Sequence, residues 1–470
     1  MWHRKALSSF ILALMVLSLT GPVLAQELNG KVRWSGQVIL DEPVLVQRDA
    51  TLTIDAGTQL VIKNPKAKIS VQGVLKINGT AAAPVAFKGM PGWEGIEFME
   101  APEGSSVSWT NFHSAKAAIV SFATDFLVAN CTFEEGEFGV RLMRESSPKI
   151  VDSLFSNNQI GIANEMKSGA EIRGNRFVGQ KKSAVIASHN SKGLIVDNYF
   201  EKNKQGIALQ QRYPDRISKN TFIENETAIF CNQTQNTPLI EQNYFEGNNY
   251  AVLNFSFSFP VIKNNTFIKN KTAVYNDQYG SPLVENNLFR DNDTALYNYR
   301  KSNPKVFLND FEQNRLAIFC DFSAYPQVKN NNFIGNQMAV KLGIYQSADW
   351  EERSGSKSIM QRESAARKSQ NPMLARAPVQ FNDFVDVSGN WWGEDTAQLE
   401  QIGEDGNAAM FYDRQDLSEV TYEDYGPGVY QLDRIQFAPW LAGPAGHSGV
   451  QKDSGGKTKD TGTQTGVKSK

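Results

Sequence analysis

Apolar residues along most of this chain fall in short alternating runs, such as Val261-Ile262-Lys263 and Ala273-Val274-Tyr275, bounded by Asn and Gly. A period of two turns one face of a strand inward, and the Asn and Gly residues mark the turns between strands. The runs also keep a longer beat. Phe112, Phe133, Phe155, Phe177, Phe200, Phe222, Phe245, Phe267, Phe289, Phe311 and Phe333 follow one another at 21 to 23 residues, and Phe384 comes after one gap of 51. A fixed period of this length is the mark of a repeat architecture, in which each unit packs only on its neighbours.

Alignment on Phe exposes the rest of the unit. An Asn stands two residues before it (Asn175, Asn198, Asn220, Asn243, Asn265, Asn287, Asn309, Asn331 and Asn382). Another stands three after it, from Asn158 to Asn336, and a small residue followed by an apolar one comes at six and seven after it, as in Ala228-Ile229. Helical solenoids need units of roughly 33 residues or more with a 3.6-residue apolar stripe, which is absent here. The pattern predicts an all-β chain coiled as a parallel β-helix, about 22 residues and three short strands per rung. Phe should point inward and stack on the rung above at about 4.8 Å. Asn should take the left-handed conformation at tight corners and hydrogen-bond along the stack.

The pattern also divides the chain. Residues 1–25 read as a signal peptide: Arg4 and Lys5 precede an apolar core from Phe10 to Leu19, with cleavage after Ala25. Residues 26–100 read as an N-terminal cap and first rungs, and 101–342 as regular rungs. A charged, helix-like insertion follows at 343–378, containing Glu351-Glu352-Arg353 and Arg362-Glu363. Residues 379–442 read as the last rung and C-terminal cap, and 443–470 as a disordered tail rich in Gly, Ser, Thr and Lys. No segment after residue 25 reaches the roughly 18 apolar residues of a membrane span.

Charge and cysteine narrow the function classes. With 48 basic and 50 acidic residues the net charge is −2, which gives no long-range attraction for nucleic acid. Cys131, Cys231 and Cys320 are odd in number and lack metal-ligand spacing. Cys231 and Cys320 share a register four rungs apart, about 19 Å, too far for a disulfide. His113, His189 and His447 are scattered, so neither a metal site nor a cofactor is expected. Sequons at Asn225, Asn270 and Asn292 lie inside the repeat, which favours a bacterial source over a glycosylating secretory route.

The opening from Trp34-Ser35-Gly36 through Ala50-Thr51-Leu52-Thr53-Ile54 to Trp93-Glu94-Gly95-Ile96, the N-x-F-x-x-N-x-x-A-I/V rung, and the closing Gly389-Asn390-Trp391-Trp392-Gly393 with Phe437-Ala438-Pro439-Trp440-Leu441 carry a family likeness. Together these stretches resemble secreted bacterial right-handed parallel β-helix proteins. That is the pectate-lyase-like superfamily, and the likeness extends at a distance to the periplasmic copper-processing protein of nitrous oxide reduction. The resemblance spans about residues 34–441 and implies a right-handed coil. It does not imply one activity, since the scaffold hosts many.

Catalysis on such a coil would need acidic residues at equivalent positions on nearby rungs. Asp277 and Asp321 share a register two rungs apart, with Arg300 between them in height, and are the candidate catalytic residues; the alternative is that all three are solvated on an outer face. A stronger signal lies eight residues after Phe, where Phe230, Leu253, Tyr275, Tyr297, Phe319 and Lys341 fall on the face opposite the inward Val or Ile. Phe255, Phe257, Tyr279, Tyr299, Phe322 and Tyr325 sit in the following turn. An exposed apolar stripe marks an interaction surface unless another segment, such as the insertion, covers it. The expected ligand-binding residues are therefore Phe230, Tyr275, Tyr297, Tyr299 and Phe319.

These features predict an exported β-helix protein, periplasmic, outer-surface or extracellular. It would bind an extended glycan or a surface-protein partner along the stripe, without catalysis. Two other functions fit the same scaffold: a polysaccharide lyase or glycoside hydrolase, and a structural cell-envelope assembly protein.

Overall fold

The computed structural model describes residues 25–211, 213, 215–353, 382–423 and 428–446. The expected signal peptide up to residue 24, residues 354–378 of the expected insertion and the expected tail beyond residue 446 lie outside the described residues.

Each rung contributes one strand to each of three long parallel sheets. A typical rung is Thr227–Asn232, Leu239–Glu241 and Tyr244–Glu246. The first sheet has 16 strands and the other two have 14 each. Register is set by like residues lying over like. Phe222 pairs with Phe245, and Phe245 with Phe267, in the third sheet. Their rings stack 4.8 and 4.7 Å apart with planes within 6° of parallel. Because the side-chain period is two, a slip of one residue would turn every Phe out to solvent, so the apolar pattern locks the register.

The column starts earlier and ends differently from the sequence expectation. Phe87, 25 residues before Phe112, already stacks on it at 4.9 Å. At the other end Phe333 stacks on Trp392 at 4.6 Å, and Asn331 bonds to Asn390. Phe384 and Asn382, expected to close the ladder, do not: Asn382 is exposed and Phe384 half-buried, with Val385 turned inward instead. The pair Asn390 and Trp392 keeps the same two-residue spacing, but it lies beyond the insertion, where counting rungs fails.

The ladder asparagines also do a different job from the one expected. The left-handed residue is the one before each of them: Lys219, Gln242, Asn264, Asn286 and Leu308 have φ between +54° and +58°. The ladder Asn itself bridges rungs. Asn243 Oδ1 accepts the backbone N–H of Asn220 at 2.9 Å, and its Nδ2 donates to the Ile217 carbonyl at 3.0 Å and to Asn265 Oδ1 at 3.1 Å. A second column, Asn203, Asn225, Asn248, Asn270, Asn292 and Asn314, repeats the pattern at another corner. Corner backbone groups buried away from water are thereby paired, as burial demands. Between Cys231 and Cys320 the inward register is filled by Asn254, Asn276 and Asn298, bonded in sequence at 2.8 and 2.9 Å. All three cysteines are buried and unpaired with one another.

The C-terminal end is closed by aromatic packing. Trp392, fully buried, meets Phe411 edge-on at 5.1 Å, and Phe437 stacks on Phe411 at 5.0 Å. Strand Phe384–Asp386 pairs with Arg434–Gln436, and Glu419–Thr421 forms the one antiparallel pair among the described strands, with Val429–Gln431. Of the charged insertion, Ala348–Arg353 is helical (α1). No helix of the described residues is long and apolar enough to cross a membrane.

Candidate functional site

The outward column forms because the first sheet carries the longest strands, of five or six residues in most rungs, so side chains on both faces are held by pairing on both sides. Phe230, Leu253, Tyr275, Tyr297, Phe319, Lys341 and Tyr412 lie in one continuous register. All are half-buried. Tyr275 and Tyr297 stack with centroids 4.8 Å apart and planes 9° from parallel. Ring carbons in contact are roughly 3.5 Å apart. Parallel rings whose centres are farther apart than that must slip past one another, so they overlap like roof tiles and each leaves part of a face open. Phe319 tilts by 31° on Tyr297, and Tyr250 stands edge-on to Tyr275.

A second line runs beside the first at the turn. Phe257 stacks on Tyr279 at 4.8 Å. Tyr299 meets Phe322 edge-on, Phe322 stacks on Tyr345 at 4.2 Å, and the line continues through Tyr422 to Tyr430. Sequence reasoning missed Tyr345 although it keeps the offset from Phe333 that Phe257 and Tyr279 keep from theirs. It missed Tyr422, Tyr430 and Trp350 because tertiary folding of the cap brings them there and no period places them. Tyr412 carried a local signal, the step from the inward Phe411 to the next, outward-facing strand position. Tyr325, expected among the exposed rings, is drawn into the cap, where its hydroxyl donates to Asp433 Oδ2 at 2.9 Å.

Helix α1 packs on this cap end, with Trp350 edge-on to Tyr422 and Arg353 over the Tyr430 ring. Among the described residues it leaves Phe230 to Phe319 open on their outer side.

The structure brings Asp277 and Arg300 together and separates both from Asp321. Arg300 Nε donates to Asp277 Oδ1 at 2.6 Å, and its second nitrogen bonds the other carboxylate oxygen. Asp321 accepts the N–H groups of Phe322 at 3.0 Å and Tyr345 at 2.9 Å. It lies over Gly343, where a Cβ would sit 2.3 Å from its Cγ. Both carboxylates are buried, at 4% and 7% exposure, rather than solvated on an outer face. Burial pushes the Asp321 carboxyl up to about 7, with its two N–H donors working against the rise. Burial is also the main reason the Tyr275 and Tyr297 phenols are raised, Tyr297 to about 12, with nearby Asp277 and Asp321 adding to it. Their hydroxyls therefore stay neutral and able to donate at any physiological pH.

Two family models match the chain. One, described as periplasmic copper-binding protein (NosD), covers residues 90–258, and the other, described as right handed beta helix region, covers residues 215–349. No curated protein matches the sequence. The described residues do not fit copper. No group of three or more His, Cys, Asp or Glu among them is placed to hold a metal ion. Cys131, Cys231 and Cys320 are isolated in the coil interior, and burial raises each thiol to about 12, so no thiolate is available. His113 faces Glu135 at 3.6 Å, and His189 bonds Ser188 at 2.9 Å.

Proposed function

We propose that this chain, a right-handed β-helix repeat protein related to the periplasmic NosD family, is an exported binding module. It holds an extended glycan along the outward aromatic column of its first sheet and does not transform it. The observation that carries this reading is the unbroken register from Phe230 to Phe319. A rung repeats about as often as a sugar unit in an extended polysaccharide, so the tiled rings offer one apolar contact per unit. The Tyr275 and Tyr297 hydroxyls add neutral donors. Asp277, locked to Arg300, and Asp321, engaged by two backbone N–H groups, are occupied as structural groups, which argues against a lyase or hydrolase built on them. Copper binding, the property in the family's description, is not carried to this chain, because its described ligand set does not fit.

A protein partner is the second reading. It is favoured by Arg300 over Tyr299, since Arg and Tyr concentrate at protein interfaces. Affinity electrophoresis through gels of single polysaccharides tests the first reading. The wild type should be retarded, and Tyr275→Ala with Tyr297→Ala should lose about tenfold in affinity, about 1.4 kcal/mol, with an unchanged melting profile. Equal retardation of the variant would sink it. So would release of reducing sugar or unsaturated product that disappears in Asp277→Asn.

A further inference from the structure

The aromatic column begins at Phe230, and at that point a polar groove opens beside it. It is lined by Asn190, Gln211, Gln233 and Gln235 and encloses about 390 Å³. That volume falls within the roughly 300–1,000 Å³ of small-ligand clefts. Asn190, Gln211 and Gln233 follow the first-sheet strands Ser183–Ala187, Gln205–Gln210 and Thr227–Asn232 on three successive rungs. Each takes the left-handed backbone conformation, with φ of +60°, +67° and +57°. The N–H groups of the two glutamines are used in rung-to-rung pairing: Gln211 N–H donates to the Asn232 carbonyl at 2.9 Å, and Gln233 N–H to the Ser256 carbonyl at 3.1 Å. The Asn190, Gln211 and Gln233 carboxamides are exposed and bond no other described side chain or backbone group.

We infer that this groove is a subsite for a neutral, hydroxyl-rich glycan, continuing the aromatic column toward the N-terminal rungs. The inference rests on the glycan reading of the column and narrows its ligand class. A carboxamide presents two donors and an acceptor at one tip, and a sugar hydroxyl both donates and accepts, so a row of amides matches a row of hydroxyls. Among the described residues, no charged side chain lines the groove. A carboxylated polymer would give up hydration there without gaining a counter-charge, whereas a neutral one exchanges water bonds for amide bonds at little loss. The spacing fits as well, because Gln211 and Gln233 each follow the paired residues Gln210 and Asn232 on adjacent rungs, about 4.8 Å apart as the rings are.

The test compares an unsubstituted β-glucan with polygalacturonate by isothermal titration. The proteins are the wild type, Gln211→Ala with Gln233→Ala, the same pair changed to Glu, and Tyr275→Ala with Tyr297→Ala. The wild type should prefer the neutral polymer by tenfold or more, and both glutamine variants should lose about tenfold on it while melting as the wild type does. The Glu pair keeps size and backbone while replacing the amide donors with charged acceptors, so it guards against a loss caused by misfolding. Equal or tighter binding of polygalacturonate by the wild type overturns the inference. So does full affinity in the glutamine variants while the tyrosine variant loses it, an outcome that leaves the aromatic column standing. Full affinity in the tyrosine variant overturns the reading of the column itself, and the subsite placed as its extension falls with it.

Discussion

Asp321 shows how much a single side chain in this coil depends on the rung above it. Its carboxyl folds over Gly343 and holds the N–H groups of Phe322 and Tyr345, so it staples one turn to the next. Adding a methyl at Gly343 would push it out, and Gly343→Ala should cost about 1–3 kcal/mol in urea unfolding, the usual range for overpacking. Asp433, fully buried, plays a similar part in the cap, accepting from Tyr325, Gln346 and the Ala348 N–H. Burial raises both carboxyls to about 7, above the ordinary aspartate value of 3.8. The folded state therefore binds protons that the unfolded chain has released. That stabilisation is full below the unfolded value, declines as pH rises, and is gone above the folded one. Thermal stability should fall as pH rises from about 4 to about 8. Asp321→Asn, which keeps an acceptor but cannot ionise, should flatten that decline by up to about 4 kcal/mol, the linkage limit for one such carboxyl. A variant whose melting temperature follows the wild-type pH profile would contradict the assignment.

Among the elements, the asparagine and phenylalanine columns divide the work of holding rungs together. Phe245 lies between Phe222 and Phe267 with no solvent exposure, and Phe245→Ala should destabilise by about 3–5 kcal/mol. Asn243→Ala removes the acceptor for the Asn220 N–H and the donors to Ile217 and Asn265. Each buried group left without a partner costs about 1–3 kcal/mol, so the asparagine change should rival the phenylalanine one despite removing far less apolar surface. Denaturant titration of the two variants would check this, and an asparagine variant within about 0.5 kcal/mol of wild type would mean that water replaces the ladder. The motif was legible in the sequence as a spacing, but its mechanism was not. Spacing alone could not separate the left-handed corner residue from the asparagine that follows it, because Asn suits both roles.

As a whole molecule the protein is a linear stack, and its ends are its weak points. In such a stack each rung is stabilised mainly by its neighbours, so opening spreads from a terminus inward. Trp392 closes one terminus by covering Phe333 on one side and meeting Phe411 on the other. Trp392→Ala should cost about 3–5 kcal/mol. By hydrogen exchange it should deprotect the rungs nearest Phe333 first, leaving those around Phe133 protected. Uniform deprotection along the chain would show that the coil unfolds as one unit instead. The cap also finishes the second line of rings at Tyr422 and Tyr430, so the same end that seals the core shapes one margin of the candidate binding face.

Period and alternation were enough to determine the coil, the inward phenylalanines, the outward ring column and the wide separation of Cys231 from Cys320. Each of these depends only on counting along a chain whose rungs have nearly constant length, and counting is what a sequence provides. Tertiary structure decided what counting cannot reach. The insertion breaks the period, so packing chose Asn390 and Trp392 over Asn382 and Phe384 as the closing pair. Packing also buried Asp277 and Asp321, for which a solvated outer face was the alternative to catalysis, and recruited Tyr422 and Tyr430 from a segment with no repeat. The amide groove belongs to the same class. Gln211 and Gln233 keep one register, but Asn190 and Gln235 do not, and only the folded turns bring all four to a common groove.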